Sequence, residues 1–304
     1  MVKSNSSDRR LLNRVIPMNK TSGISTYDCV RRLKKLVDIE KIGHAGSLDP
    51  LATGLVLILT GEATKLSSYL MDLPKRYIAS VQLGRSTDTQ DAEGSIVAEG
   101  DWGHIERKDI EQIVESFVGK RKQVPPMYSA LKHKGTPLYV LARRGKSIER
   151  KPRDVEIYEL ELIEFEPPLF TVEVYCSRGL YVRALAEEIG AELGVPAHLH
   201  DLERVAVGHF TIDDAVDCDS IDSLLTIEKP GYSMSEALKH LPTVEVTVEE
   251  AARLSNGIAP RLSTSSIDLV NDRALFKLIR PDGSLGAIAE ISRRGEVSLK
   301  RVFG

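Results

Sequence analysis

Asp49 lies at the centre of a twelve-residue stretch, Gly43-His44-Ala45-Gly46-Ser47-Leu48-Asp49-Pro50-Leu51-Ala52-Thr53-Gly54, that sets a carboxylate on a backbone able to turn sharply. Its three glycines let the chain lie close to another backbone, and Pro50 pushes Asp49 out of helical geometry, so the stretch is a shaped loop. The run Leu55-Val56-Leu57-Ile58-Leu59 that follows is uninterrupted and apolar, the pattern of a strand buried on both faces, which anchors the loop in the core. A carboxylate held still in this way can act as a nucleophile, move a proton or stabilise a developing cation. The plainer alternative is a tight turn in which Asp49 only caps a neighbouring amide.

Helical spacing places a second charged group. Val182, Leu185, Ile189 and Leu193 define an amphipathic helix with Arg183 in its first turn, where a cation opposes the helix dipole unless a carboxylate is near. Asp49 is the candidate partner; a solvent-exposed arginine satisfies the spacing equally. In Lys75-Arg76-Tyr77-Ile78-Ala79-Ser80-Val81-Gln82-Leu83, alternation puts Tyr77, Ala79, Val81 and Leu83 on one strand face. Tyr77 is then either a core aromatic or a ring at the edge of a cleft. Thr87-Asp88-Thr89-Gln90-Asp91 is a loop that turn chemistry explains as well as a motif match does. His198, His200 and Asp201 are a close histidine grouping, but no further ligand at usable spacing stands nearby and a strand with surface histidines accounts for it, so no metal is expected.

These groups need a scaffold, and the chain supplies strands interleaved with short helices. Val15 and Ile16 end a short strand, Lys20-Thr21-Ser22-Gly23 turns, and Ser25 with Asp28 makes a capping-box start for the next helix. Val30, Leu33 and Val37 stripe that helix, and Arg31, Arg32, Lys34 and Lys35 form its outer face. Ala63, Leu66 and Leu70 mark a helix ending near Pro74; Ile110, Ile113, Val114 and Phe117 mark another, closed by Gly119. Strands resume at Val155, and Phe170, Val172, Val174 and Cys176 alternate with Thr171, Glu173 and Tyr175. Near Leu241-Pro242 the character changes. Val244, Val246 and Val248 alternate, Asn256-Gly257 stops a short helix, and Pro281-Asp282-Gly283 joins two apolar runs as a hairpin would. The expected class is α+β: a mixed, mainly antiparallel sheet with flanking helices over residues 1–241, then a small β-rich domain over 242–304.

At 304 residues, 42% of them hydrophobic, the chain can bury one large core and a small second one. Cys29, Cys176 and Cys218 are far apart and offer neither a disulfide framework nor a Cys-x-x-Cys metal site, which suits a reducing cytoplasm. The polar first ten residues lack a signal peptide's apolar run and no segment approaches membrane-spanning length, so a soluble cytoplasmic protein is expected. A net charge of −3 taken alone speaks against a nucleic-acid partner, but the distribution of that charge points the other way. Residues 120–153 hold eleven Lys or Arg and one acid, Glu149, while the rest of the chain holds 30 basic and 43 acidic residues. Tyr128 and Tyr139 are interspersed, and Pro125-Pro126, Gly135 and Gly145 are breakers. The segment, Lys132 and Arg143 included, reads as an excursion from the sheet that meets phosphates and bases.

The Gly43 to Gly54 stretch closely resembles the active-site motif of bacterial tRNA pseudouridine synthases of the TruB type, and Gly179-Leu180-Tyr181-Val182-Arg183 matches a second motif of that family, Gly-x-Tyr-x-Arg. The resemblance covers most of the chain and is weakest in the tail, which is similar to the family's module related to the PUA RNA-binding domain. It implies that Asp49 is catalytic, that Arg183 pairs with it, and that Tyr181 lines the base pocket. Tyr77, in the Lys-x-Tyr segment, would stack against the target base or take its proton, Leu202 would contact the base, and His44 would fill the gap left by a flipped nucleotide. Lys20 is expected to bind substrate, in a turn where the family usually has Lys-Pro-x-Gly and Thr21 replaces the proline. Pro125-Pro126-Met127-Tyr128-Ser129-Ala130-Leu131-Lys132 resembles the start of the thumb insertion that clasps RNA. The implied substrate is the T-arm stem-loop of tRNA, whose loop uridine at tRNA position 55 becomes pseudouridine, and a monomer needing no cofactor, guide RNA or membrane is expected. A guanidinium beside a buried aspartate should hold it ionised. Two rivals stand: a tRNA-binding folding factor with a structural Asp49, and a phosphate-ester hydrolase using the glycine loop as an anion cradle, which lacks the Lys-Ser/Thr ending of a nucleotide loop.

Overall fold

The computed structural model describes residues 11–221, 231–260 and 273–304. Among them, a sheet of eleven strands follows the path Val216–Asp217, Arg14–Lys20, Thr53–Thr60, Ala197–Val207, Lys75–Leu83, Leu169–Cys176, Arg153–Glu166, Gly119–Gln123, with three short strands paired beside it. The Ala197 strand runs parallel to the Thr53 strand and antiparallel to the Lys75 strand. From the Lys75 strand to the far edge every pairing is antiparallel, giving the mixed, mainly antiparallel α+β sheet expected. The Asp49 loop leads directly into the Thr53 strand, an interior strand and the third along this path.

The unbroken apolar run of that strand has a physical reason. Val56 and Ile58 point into one core, with Val30 and Leu33 of the helix Thr26–Leu36, Ile110 of Arg107–Ser116, and Leu185 and Ile189 of Val182–Glu192. Leu55, Leu57 and Leu59 point into a second core on the opposite face. All five are fully buried.

The C-terminal region forms a separate sheet in the order Thr243–Glu245, Arg273–Ile279, Leu285–Ser292, Val297–Val302, its middle pair a hairpin turning through Pro281-Asp282-Gly283. This sheet has its own small core around Leu254, Phe276 and Ile291, yet Ile279, Leu285, Ile288 and Phe303 pack into the second core of the large sheet. No helix among the described residues is long and apolar enough to cross a membrane.

Several local expectations change. The first strand continues to Lys20 instead of ending at Ile16. The segment after Gly61 is a 3-10 turn that passes into a short helix at Ser67–Met71. Val248 opens a helix and is 69% exposed, because Thr247 and Glu250 form a capping box that ends the extended run. The basic segment also begins inside the sheet: Gly119–Gln123 is its edge strand, paired with Arg153–Glu166, and the excursion is confined to 124–152. An edge strand tolerates Lys and Arg because charged side chains there discourage pairing with another chain. His198 is buried and its Nδ1 lies 2.8 Å from the Arg85 carbonyl, while His200 is exposed, so the two are not a pair of surface histidines.

Candidate active site

The loop around Asp49 is tethered on several sides. Gly46 and Gly54 adopt φ of +94° and +100°, and a Cβ on Gly54 would collide with the Arg204 carbonyl. The Pro50 carbonyl accepts from the Gly23 amide at 2.9 Å, and the Leu48 amide donates to Thr26 Oγ1 at 2.8 Å. Lys20 is fully buried beneath this loop. Its ammonium donates to the carbonyls of Thr21 (3.0 Å), Ile24 (2.9 Å) and Pro50 (3.1 Å), which uses all three of its protons. Lys20, the residue expected to bind substrate, braces the loop in this structure, and burial lowers its pKa.

Arg183 links Asp49 to the rest of the site. The Val182–Glu192 helix puts it in the first turn as the spacing predicts, but buried, not solvent-exposed. Its Nε lies 2.9 Å from Asp49 Oδ2 and its Nη1 3.2 Å from Asp91 Oδ2, and it donates to the carbonyls of Thr89 at 3.0 Å and Tyr128 at 2.7 Å. The Asp49 side chain keeps 43% of its surface open, whereas Asp91 is buried and its other oxygen accepts from the Glu93 amide at 3.1 Å. Burial raises the Asp49 pKa, Arg183 pulls it down, and the charge of Asp91 raises it again, with a net upward shift. Arg183 favours the ionised form of the aspartate, as the sequence leads one to expect, and desolvation works against it.

Asp49, Tyr77, Tyr181, Arg183 and Leu202 come together around one cleft, joined by Leu48, Ser129 and Leu180. The cleft encloses about 150 Å3. A cavity of roughly this size holds a single benzene-like ring. Tyr77 and Leu202 stand on adjacent strands, and Tyr181 precedes the helix, where its amide donates to Gln123 Oε1 at 2.8 Å. Burial raises the pKa of the Tyr77 and Tyr181 phenols, an effect that Arg204 partly offsets at Tyr77 and Ser129 at Tyr181. His44 ends the short strand Ile42–His44 outside the cleft. Burial and the nearby charge of Arg204 lower its pKa, leaving a neutral ring. Lys132 and Arg143 lie far along the excursion, both exposed, the former in a two-residue hairpin strand and the latter with its guanidinium 5.8 Å from the Tyr139 ring.

Two participants are not singled out as site residues by the sequence. The Asp91 segment fits the family pattern and turn chemistry alike, and nothing local says that its carboxylate faces Arg183. Arg204 stands out only as a neighbour of Leu202, yet it grips the Asp49 loop through backbone carbonyls.

Comparison with known proteins agrees with this geometry. Residues 34–182 match the model of the TruB family pseudouridylate synthase N-terminal domain. The chain is 39% identical to a tRNA pseudouridine synthase B of Syntrophotalea carbinolica, over 96% of this chain and 98% of the relative. It is 41% identical to that of Geobacter sulfurreducens over 81% of this chain and 82% of the relative. Among solved structures, the backbone is similar to that in a Cbf5-Nop10-Gar1 complex, with a TM-score of 0.75 and 24% identity over 99% of this chain and 88% of that one. The chain belongs to the TruB family of pseudouridine synthases.

Proposed function

We propose that this chain converts the T-loop uridine of tRNA, at tRNA position 55, to pseudouridine. The observation that carries the reading is the Asp49–Arg183 ion pair on the wall of a ring-sized cleft. A uracil inside a stacked loop cannot reach this cleft, so the nucleotide flips in, at a cost of a few kcal/mol, and rests between Tyr77, Tyr181 and Leu202. The bond from N1 to the ribose C1′ breaks with its electron pair going to the uracil, and the carboxylate of Asp49 meets the positive charge left at C1′. The base turns, C5 bonds to C1′, the C5 proton leaves and N1 is protonated, so the product is an isomer. An aspartate more basic than usual is the better nucleophile, and Arg183 favours its ionised form.

The exposed cations of 124–152 would bind phosphates of the T-arm, and the neutral His44 ring would occupy the gap in the base stack. No guide RNA, cofactor or partner chain enters this scheme. Residues 1–241 would carry the chemistry and 242–304 would form a PUA-like module. The three free, buried cysteines fit a cytoplasmic enzyme.

The direct test is release of tritium from C5 of uridine in a labelled T-arm hairpin. The native protein should release it, and Asp49→Asn should lose more than about 10³-fold in rate with RNA binding intact. Tight binding without release by either protein would favour the folding-factor alternative, and release by both would remove Asp49 from the chemistry.

A further inference from the structure

Arg204 stands in the Ala197–Val207 strand, opposite Tyr77 in one neighbour and Gly54 in the other. It is 2% exposed, and among the described residues its guanidinium meets no carboxylate; it meets backbone carbonyls and the Tyr77 phenol. Nε donates to Leu55 O at 2.7 Å, Nη1 to Ser47 O at 3.4 Å and Nη2 to Gly46 O at 3.4 Å. A buried cation without a counterion is costly, and an apolar side chain would fill the same space at lower cost. Its donors do what an apolar side chain cannot: they take carbonyls on both sides of Asp49, two residues before it and six after it. The planar fork matters, because it holds its N–H groups in a fixed divergent geometry at the end of the side chain, whereas an ammonium's donors rotate on a flexible stem.

We propose that Arg204 is a positioning residue of the reaction. By fixing the backbone of the Gly46 to Leu55 segment it aims the Asp49 carboxylate into the cleft. Arg183 acts on the carboxylate directly, while Arg204 acts on the backbone that carries it. The inference rests on Asp49 being the catalytic carboxylate.

The test compares Arg204→Met, Arg204→Lys and Asp49→Asn by single-turnover tritium release at saturating T-arm hairpin, with hairpin Kd and thermal unfolding measured beside it. Misplacement of a catalytic group by about 1 Å costs about 100-fold in rate. Arg204→Met should lose that much while its Kd stays within about twofold of wild type, and Arg204→Lys should recover part of the rate. A folded Arg204→Met within about threefold of the native rate, or one that loses affinity in proportion to rate, overturns the proposal. If Arg204→Met does not fold, Arg204→Lys decides: a native rate there leaves only a structural role. If Asp49→Asn stays active, the catalytic reading fails and the inference falls with it; if Asp49→Asn is inactive and the Arg204 variants are fully active, the inference alone fails.

Discussion

One guanidinium shared by two carboxylates sets the ionisation of this site. Arg183 faces Asp49 on the open side and the buried Asp91 on the closed side, so two acidic side chains share one guanidinium. Asp49 rises in pKa because burial and Asp91 together outweigh the guanidinium. The reaction needs Asp49 ionised, so its rate climbs as pH rises through this raised pKa. Asp91→Asn removes the negative neighbour. Asp49 then titrates lower, and the acid limb of the single-turnover rate profile should move to lower pH, with a lower plateau of roughly tenfold because Arg183 loses one tether. An acid limb that stays in place, or moves up, would contradict this electrostatic account. Asp49, Tyr77, Tyr181, Arg183 and Leu202 are legible in the sequence because each lies in a short motif or a clear periodicity. The role of Asp91 is not, since it meets Arg183 across 92 positions of chain, and that of Arg204 is not, since its partners are carbonyls that every residue possesses.

At the scale of elements, the basic excursion has a root and a tip that do different things. The root belongs to the site: the Tyr128 carbonyl accepts from Arg183, and Ser129 lines the cleft. The tip is a two-strand hairpin, Lys132–His133 with Thr136–Pro137, turning through Lys134 and Gly135 at φ of +47° and +84°, and then the short helix Leu138–Ala142, pinned by the buried Leu138. Charge sorting in the sequence exposes this element but misplaces its start, because an edge strand and a solvated loop have the same polar composition. Replacing Lys132, Lys134, Arg143 and Arg144 together by Gln should weaken hairpin binding and flatten its salt dependence, by about 0.7–0.9 in log–log slope for each phosphate that is no longer neutralised. The rate at saturating RNA should fall less than the affinity, because the root is untouched. An unchanged salt slope would remove the RNA-binding assignment from this tip.

Across the whole molecule, the two sheets are not independent bodies, because Leu55, Leu57 and Leu59 behind the Asp49 loop share a core with Ile279, Leu285, Ile288 and Phe303. Lys65 fastens the same junction, donating to the Val302 carbonyl at 3.3 Å with its ammonium 5.6 Å from the Phe303 ring. The C-terminal hairpin is legible in the sequence, since its turn chemistry is local. The shared core is not, because an apolar residue carries no label for which of two faces it will meet. Phe303 is fully buried in this core and does not line the cleft, so Phe303→Ala tests the junction without touching the site. Truncating a buried Phe costs about 3–5 kcal/mol, a fall in Tm of roughly 6–15 °C for a chain of this size. Because the Phe303 ring packs in the core that supports the strand behind Asp49, the unfolding of the catalytic sheet should move down with the C-terminal sheet, and tritium release should fail at a lower temperature than in the native protein. If calorimetry shows a C-terminal transition that shifts while release of tritium fails at the native temperature, the shared core does not couple the two sheets.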